Sequence, residues 1–255
     1  MQVVILSGGA GSRISEENFL RPKPMIEVGG RPILWHIMKY FSAFGYNDFL
    51  ICLGYKQYMV KNYFMDYFVF TQDIEVNIKN NSVKVLSEQT DDWDVKLVDT
   101  GIDTKTAGRL KRVEKYLNDE FFLVYGDSLG DIDLNEELNS FKKNNKILTL
   151  CAARFSSQKG VLDIDENNTI TSFREKSVKD EVYINSGYMI CKKDILNYID
   201  GDKPAFDTDV FPKLFKANHV NSYKHDGNWK LVEKENDVKE LNKIWDSGEV
   251  FWRKE

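Results

Sequence analysis

The first residues of the chain constrain its fold more than any other stretch. Val3-Val4-Ile5-Leu6 is an unbroken apolar run, β-branched at all but its last position, and suits a strand covered on both faces. It runs straight into Ser7-Gly8-Gly9-Ala10-Gly11-Ser12-Arg13. Glycines there let the backbone turn sharply and bring bare N–H groups against a ligand. A phosphate chain in that turn would meet those donors and the charges of Arg13 and Lys23, the latter within Arg21-Pro22-Lys23-Pro24. The spacing is neither the P-loop, which requires Gly-Lys-Ser/Thr, nor the dinucleotide pattern Gly-x-Gly-x-x-Gly. A glycine-rich turn after a strand is often only a turn; the neighbouring cations make this one a phosphate-binding candidate.

Composition narrows the class of partner. A net charge of −5 over 255 residues argues against a nucleic-acid surface, so any phosphate must be held by a local cluster of cations. An apolar content of 42% and a charged content of 29% describe an ordinary globule. No apolar run reaches membrane-spanning length, and the N-terminal residues lack a basic leader with an apolar core. Cys52, Cys151 and Cys191 sit in apolar stretches at no metal-like spacing. They read as buried small hydrophobes in a reducing compartment, and the expectation is a cytoplasmic protein with no membrane segment. With only His36, His219 and His225 present, a histidine-based metal centre is disfavoured.

Further along, Ile33, Leu34, Ile37, Met38 and Phe41 recur at helical spacing, with Pro32 at the start and Gly45 at the stop, so a helix is expected over 31–45. His36 reads as a flank residue of that helix. A strand over 49–53 and a helical stretch over 56–70 complete a βαβ unit, hence a parallel sheet. Residues 73–86 alternate apolar and polar around Asn80-Asn81-Ser82, the pattern of a β-hairpin projecting from the α/β body, suited to covering a site or to packing on another subunit. A strand over 96–98 leads to a helix capped by Thr106, with Leu110, Val113 and Leu117 inward. Arg109, Lys111 and Arg112 lie on its early turns, where the helix dipole favours anions, so a phosphate partner is plausible for them. The strand over 121–125 ends in Gly126-Asp127, and ligands in open parallel sheets sit beyond the carboxyl ends of strands. Asp127 would then share one rim with the glycine turn and suit Mg²⁺, which takes a carboxylate or two plus phosphate oxygens. Further strands are expected over 147–152, 161–164 and 183–190, and helices over 207–216 and 236–246. No linker or repeat appears, so one domain over 1–255 is expected.

Taken together, these segments resemble the sugar-1-phosphate nucleotidyltransferases, and among them the glucose-1-phosphate cytidylyltransferase branch. The pieces that match are residues 6–13, Ser15-Glu16-Glu17, 21–25, 30–38, Val98-Asp99-Thr100-Gly101, 108–112 and Tyr125-Gly126-Asp127. The resemblance implies a Rossmann-like α/β enzyme, with a mixed, mostly parallel sheet and helices on both faces, using CTP and Mg²⁺ as a homo-oligomer. It implies that Leu6, Gly8, Gly9, Ala10, Gly11, Ser12 and Arg13 wrap the nucleotide and that Lys23 sits at the reacting phosphate. Thr104 and Arg109 would lie near base and triphosphate, and Asp127 would hold the metal. Arg13, Lys23 and Asp127 are the expected catalytic set. Glu233, in Gly227-Asn228-Trp229-Lys230-Leu231-Val232-Glu233, stands where the family places a second metal carboxylate, an aspartate. Lys176 and Asn185 match positions that meet the acceptor.

Departures from the family cluster on the acceptor side. Ser128 and Ser186 replace glycines, Glu175-Lys176 lacks its following proline, and Lys230-Leu231-Val232-Glu233 replaces a proline-containing stretch. Ala107 also replaces a glycine. Extra hydroxyls and altered charge suit a polar, zwitterionic acceptor. The expectation is therefore a small phosphorylated acceptor resembling phosphoglutamine, as in the CTP:phosphoglutamine cytidylyltransferase branch of capsular phosphoramidate synthesis. Glucose 1-phosphate is the alternative, and an inactive nucleotide-binding module is the reading from a different class.

Overall fold

The computed structural model describes residues 1–9, 21–87, 90–156, 161–164, 166, 169–174 and 181–254. Side chains alternating along the first strand divide the interior into two cores. In β1 (Gln2–Ser7), Val3 and Ile5 enter one core while Val4 and Leu6 enter the other. The apolar stripe of α1 (Ile33–Ser42) closes the first core with Ile33, Leu34, Ile37 and Phe41, all fully buried. Each such side chain contributes about 1.5–3 kcal/mol through burial. Strand β2 (Asp48–Leu53) repeats the division, Phe49 and Ile51 facing one way and Leu50 and Cys52 the other.

The chain continues through α2 (Gln57–Met65) and α3 (Tyr67–Thr71). The helix expected over 56–70 thus breaks at Asp66, whose φ of −98° and ψ of 16° interrupt the helical run. A hairpin of β3 (Ile74–Asn77) and β4 (Ser82–Val85) comes next, then β5 (Asp94–Asp99) and α4 (Thr106–Arg112). Thr106 is not the cap of α4: its Oγ1 accepts from the Phe206 N–H at 3.0 Å, and Lys105 occupies the cap position. Beyond β6 (Glu120–Tyr125) and the short β7 (Ser128–Gly130) comes α5 (Leu134–Asn144), which composition did not single out. The rest comprises β8 (Leu148–Ser156), β9 (Val161–Ile164), β10 (Ile170–Arg174), β11 (Glu181–Lys192), α6 (Phe211–Lys216), β12 (Val220–His225), β13 (Trp229–Leu231) and α7 (Glu235–Ser247).

The central sheet runs β12-β8-β11-β6-β1-β2-β5. Its strands are parallel apart from β11, which pairs antiparallel with both β6 and β8. Helix α1 packs on one face, while Leu110 of α4 and Phe211 and Leu214 of α6 pack on the other. β1 lies between β2 and β6, so the chain winds outward in opposite directions from it. That switch point opens a crevice at the carboxyl ends of the parallel strands.

His36 is no flank residue. It is 2% exposed, and the Trp252 indole N–H donates to its Nδ1 at 3.2 Å. That leaves Nε2 to donate to the Val28 carbonyl at 2.8 Å, and burial pushes the imidazole down to about 4, so the ring is neutral. The C-terminal aromatic residues that cover α1 create this environment. Among the described residues no helix is long and apolar enough to cross a membrane.

Candidate active site

At the carboxyl ends of β1, β5 and β6, the loops enclose a cleft of about 700 Å³. Its walls include Leu6, Gly8 and Gly9 from the end of β1, Thr104 beyond β5, and Asp127 beyond β6. Lys23 reaches it from a single 3₁₀ turn (Lys23–Met25) whose entry is fixed by Pro22 and Pro24.

The loops are bound to one another by Arg109, which is 3% exposed. Its Nη1 donates to Leu53 O at 3.2 Å, Thr100 Oγ1 at 2.8 Å and Gly101 O at 2.7 Å. Nη2 donates to Gly8 O at 2.8 Å and Ile102 O at 3.2 Å. A single guanidinium thus ties the turns after β1, β2 and β5. Room for it comes from missing side chains, since a Cβ on Gly8 would overlap the guanidinium and one on Gly54 would lie 2.5 Å from Nη1. Burial lowers the affinity of Arg109 for its proton, yet the fork of donors keeps it charged. The sequence suggests a free cation for triphosphate; the structure shows a cation whose Nη donors are already occupied by backbone carbonyls and the Thr100 hydroxyl.

Other cations line the mouth instead. Lys105 and Lys203 both border the cleft. Lys203 arrives there because the loop carrying it docks on α4: Lys105 N–H donates to Asp202 O at 3.0 Å and Gly108 N–H to Pro204 O at 3.2 Å. Arg112 adds a two-pronged pair with the Asp202 carboxylate, Nε to Oδ1 at 2.8 Å. Gly108 permits the approach, as a Cβ there would strike the Asp202 backbone. Sequence reasoning missed both lysines. Lys105 stands beside Thr104 and was within reach, whereas nothing local marks Lys203.

Lys23 and Asp127 meet across the floor of the cleft, Nζ to Oδ2 at 3.1 Å, with both side chains largely covered. Asp127 Oδ1 is buried and has no hydrogen-bond partner among the described residues. A carboxylate oxygen left open beside a phosphate-sized cleft fits the demand of Mg²⁺ for a carboxylate and several mobile oxygens. Tyr125, whose hydroxyl is also buried in the wall, was not singled out from sequence.

The remaining expectations fare unevenly. Leu6, Gly8, Gly9, Lys23, Thr104, Arg109 and Asp127 converge on the cleft. Ala10, Gly11, Ser12, Arg13 and Lys176 lie outside the described residues. Glu233 and Asn185 are not among the residues walling the cleft. The Val232 N–H donates to Asp127 O at 2.9 Å, which brings the chain at Glu233 beside Asp127 by backbone alone. Asn185 Oδ1 accepts from the Gly187 N–H at 3.0 Å. The hydroxyls expected to face a polar acceptor are buried: Ser128 Oγ donates to Ser186 O at 3.1 Å, and Ser186 Oγ accepts from Tyr188 N–H at 3.2 Å. The first bond stitches β7 to β11, and the second lies within β11. Lys230 is paired with Glu240 of α7. Internal packing therefore accounts for these departures. Among the described residues, no group of His, Cys, Asp and Glu forms a ready-made metal cage.

A family model described as "Nucleotidyl transferase" matches residues 2–247. The chain is 37% identical to the glucose-1-phosphate cytidylyltransferase of Salmonella typhi, over 99% of both chains. It is 34% identical to the probable glucose-1-phosphate cytidylyltransferase of Bacillus subtilis, again over 99% of both. Among solved structures, HddC from Yersinia pseudotuberculosis, complexed with GMP-PN, shares the fold with a TM-score of 0.69 at 23% identity, covering 96% of this chain and 99% of that one.

Proposed function

Because the chain belongs to the nucleotidyl transferase family, we propose that it transfers CMP from CTP to glucose 1-phosphate, giving CDP-glucose and pyrophosphate. The end-to-end likeness to glucose-1-phosphate cytidylyltransferases carries the choice of donor and acceptor. With Ser128 and Ser186 engaged in strand contacts and Lys230 in an ion pair, a phosphoglutamine-like acceptor loses the support those residues lent it.

Chemically the site has to manage charge more than protons. The acceptor phosphate is mostly dianionic at neutral pH, its second pKa being about 6, and is already a nucleophile. One of its oxygens forms a bond to the α-phosphorus of CTP while the bond from that phosphorus to the β-bridging oxygen breaks; the electron pair leaves with pyrophosphate and no proton moves. Lys23 holds positive charge at the α-phosphoryl group, and Asp127 Oδ2 aims its ammonium across the cleft. The turn at Gly8 and Gly9 offers backbone N–H groups to the phosphates, and Lys105 and Lys203 draw the triphosphate in. Arg109 keeps the loops at the separation this requires. Mg²⁺, held by Asp127 with Glu233 as second carboxylate, would supply further positive charge against the triphosphate. Arg13 would add charge from the segment after Gly9.

The test is pyrophosphate release from CTP and Mg²⁺ with glucose 1-phosphate or phosphoglutamine offered separately, and with UTP and GTP as rival donors. Turnover with CTP and glucose 1-phosphate is expected. Faster reaction with UTP or GTP would refute the donor, turnover with phosphoglutamine alone would refute the acceptor, and no pyrophosphate with any pair would favour the inactive binding module.

A further inference from the structure

Strand β11 loses its ladder where it passes the cleft. Its pairing with β8 jumps from Met189–Leu150 to Asn185–Ala152, and its pairing with β6 ends at Tyr188. Ser186 and Gly187 therefore form a bulge that opposes no residue of either neighbouring strand. Gly187 adopts a φ of +82°, and Tyr125 Cβ lies 3.1 Å from where a Gly187 Cβ would stand, so the bulge packs on a wall of the cleft. Side chains take over polar groups that the ladder releases. The Gly187 N–H donates to Asn185 Oδ1 at 3.0 Å, and the Tyr188 N–H donates to Ser186 Oγ at 3.2 Å. The Ser186 carbonyl, with two lone pairs to offer, accepts from Ser128 Oγ at 3.1 Å and from the Trp229 indole N–H at 2.9 Å.

Those two donors stand on the two strands of one ribbon. β7 and β13 pair antiparallel, Ser128 opposite Leu231 and Gly130 opposite Trp229. Two strands alone make a marginal sheet, so the ribbon takes its place from whatever holds it. At its far end the Asp131 carboxylate accepts from the Asn228 N–H and from Asn228 Nδ2, each at 2.8 Å. At its near end stands Asp127, directly before Ser128 and bonded through its own carbonyl to the Val232 N–H. Ser128 is gripped twice by β11, because the Tyr188 hydroxyl also donates to Ser128 O at 3.2 Å. Ser128 and Ser186 are both buried, so these hydroxyls serve the joint and meet no ligand. Both replace glycines of the nucleotidyltransferases that the sequence resembles. A glycine at position 128 has no hydroxyl to give the Ser186 carbonyl, and a glycine at position 186 has none to receive the Tyr188 N–H.

We propose that the Ser186–Gly187 bulge is the joint that sets Asp127 relative to β11, and that Ser128 and Trp229 are positioning residues: their two bonds to the Ser186 carbonyl hold the Asp127 carboxylate in the direction a metal ion needs. The proposal rests on the reading of Asp127 as a Mg²⁺ ligand. That ion demands near-ideal octahedral geometry at short bond lengths, so a small turn of the ribbon costs it more than it costs a nucleotide held by several cations and backbone groups. Partners that orient a metal ligand typically change metal affinity by about 10–100-fold when removed. Each of the two ties leaves the other in place, which puts a single loss at the lower end of that range.

Calorimetry of CTP binding to the full chain, once with Mg²⁺ and once in EDTA, gives the factor by which the metal tightens the nucleotide. Ser128→Ala and Trp229→Phe are each expected to cut that factor about 10-fold. The Kd for CTP in EDTA is expected to stay at the wild-type value in both. Trp229→Phe removes the N–H and keeps an aromatic ring in the packing, so it stands as a second probe should Ser128→Ala fold poorly. Ser128→Thr, which keeps the hydroxyl, is expected to retain the wild-type factor. A merely structural bond would lower the thermal midpoint and leave the factor unchanged, or would weaken CTP binding equally with and without metal; either result overturns the proposal. A wild type whose CTP binding gains nothing from Mg²⁺ overturns the metal reading itself, and the proposal with it.

Discussion

Glu137 offers the sharpest quantitative test of the fold. It lies on α5, whose N-terminus is capped by Asp133 accepting from the Asn135 and Glu136 N–H groups at 3.0 and 3.1 Å. The helix turns Glu137 into the interior, where it is fully buried and neither carboxylate oxygen has a hydrogen-bond partner among the described residues. Burial pushes its carboxyl from 4.5 up to about 8. Between those values the native protein holds a proton that the unfolded chain releases. Its stabilising effect is therefore fully present below pH 4.5 and declines as pH rises toward 8. The span of about 3.5 pH units corresponds to roughly 4–5 kcal/mol, of which about 2 kcal/mol falls between pH 6.5 and 8.5. His36 acts in the opposite sense on the acid side, because a ring held neutral down to about 4 loses stability as pH falls from 6.5 to 4. The slopes of the two groups cancel between pH 4.5 and 6.5, leaving the alkaline decline to Glu137. The perturbation is Glu137→Gln, with urea unfolding of wild type and variant at pH 6.5 and 8.5. Wild type is expected to lose about 2 kcal/mol across that interval, a midpoint shift of about 1 M. The variant, with no proton to lose, is expected to lose far less. Parallel pH dependences in the two proteins would refute the reasoning.

The site itself sets three further outcomes. Lys23→Ala is expected to lower kcat about 10²–10³-fold with a smaller change in KM, as loss of a transition-state contact does, measured by steady-state pyrophosphate release. Arg109→Ala takes the guanidinium from the carbonyls of Gly101 and Ile102 and from those of Gly8 and Leu53, which keep the Tyr55 and Thr100 N–H groups as donors, so about 3–5 kcal/mol of stability should be lost in urea. Arg109→Lys should recover only part of it, because an ammonium cannot reproduce the planar fork. Gly54→Ala is expected to cost about 1–3 kcal/mol and to weaken CTP binding measured by calorimetry, since its Cβ would press on Arg109 Nη1 and on Gly8 O at 2.5 Å.

Short-range physics made much of this protein readable. Periodicity located β1, α1, β2 and the hairpin because each is a local pattern of apolar residues that only one secondary structure can bury. The ends of β1 and β6 placed Gly8 and Asp127 on a common rim, since a parallel sheet gathers its carboxyl ends. Less was legible where partners are distant in sequence. Lys203 reaches the cleft only because its loop docks on Gly108, and Ser128 meets Ser186 only because β7 crosses β11. The strand β12 and helix α5 carry too many polar residues for their burial to show.

The sequence by itself determined the glycine-rich end of β1, the βαβ winding and the rim that Gly8 shares with Asp127, because these depend on residue type and on spacing of a few positions. Only tertiary structure decided that Arg109 is a brace rather than a free cation and that His36 and Glu137 are buried. Those facts depend on which surfaces exclude water from which groups, and that is fixed only when segments far apart in the chain come into contact.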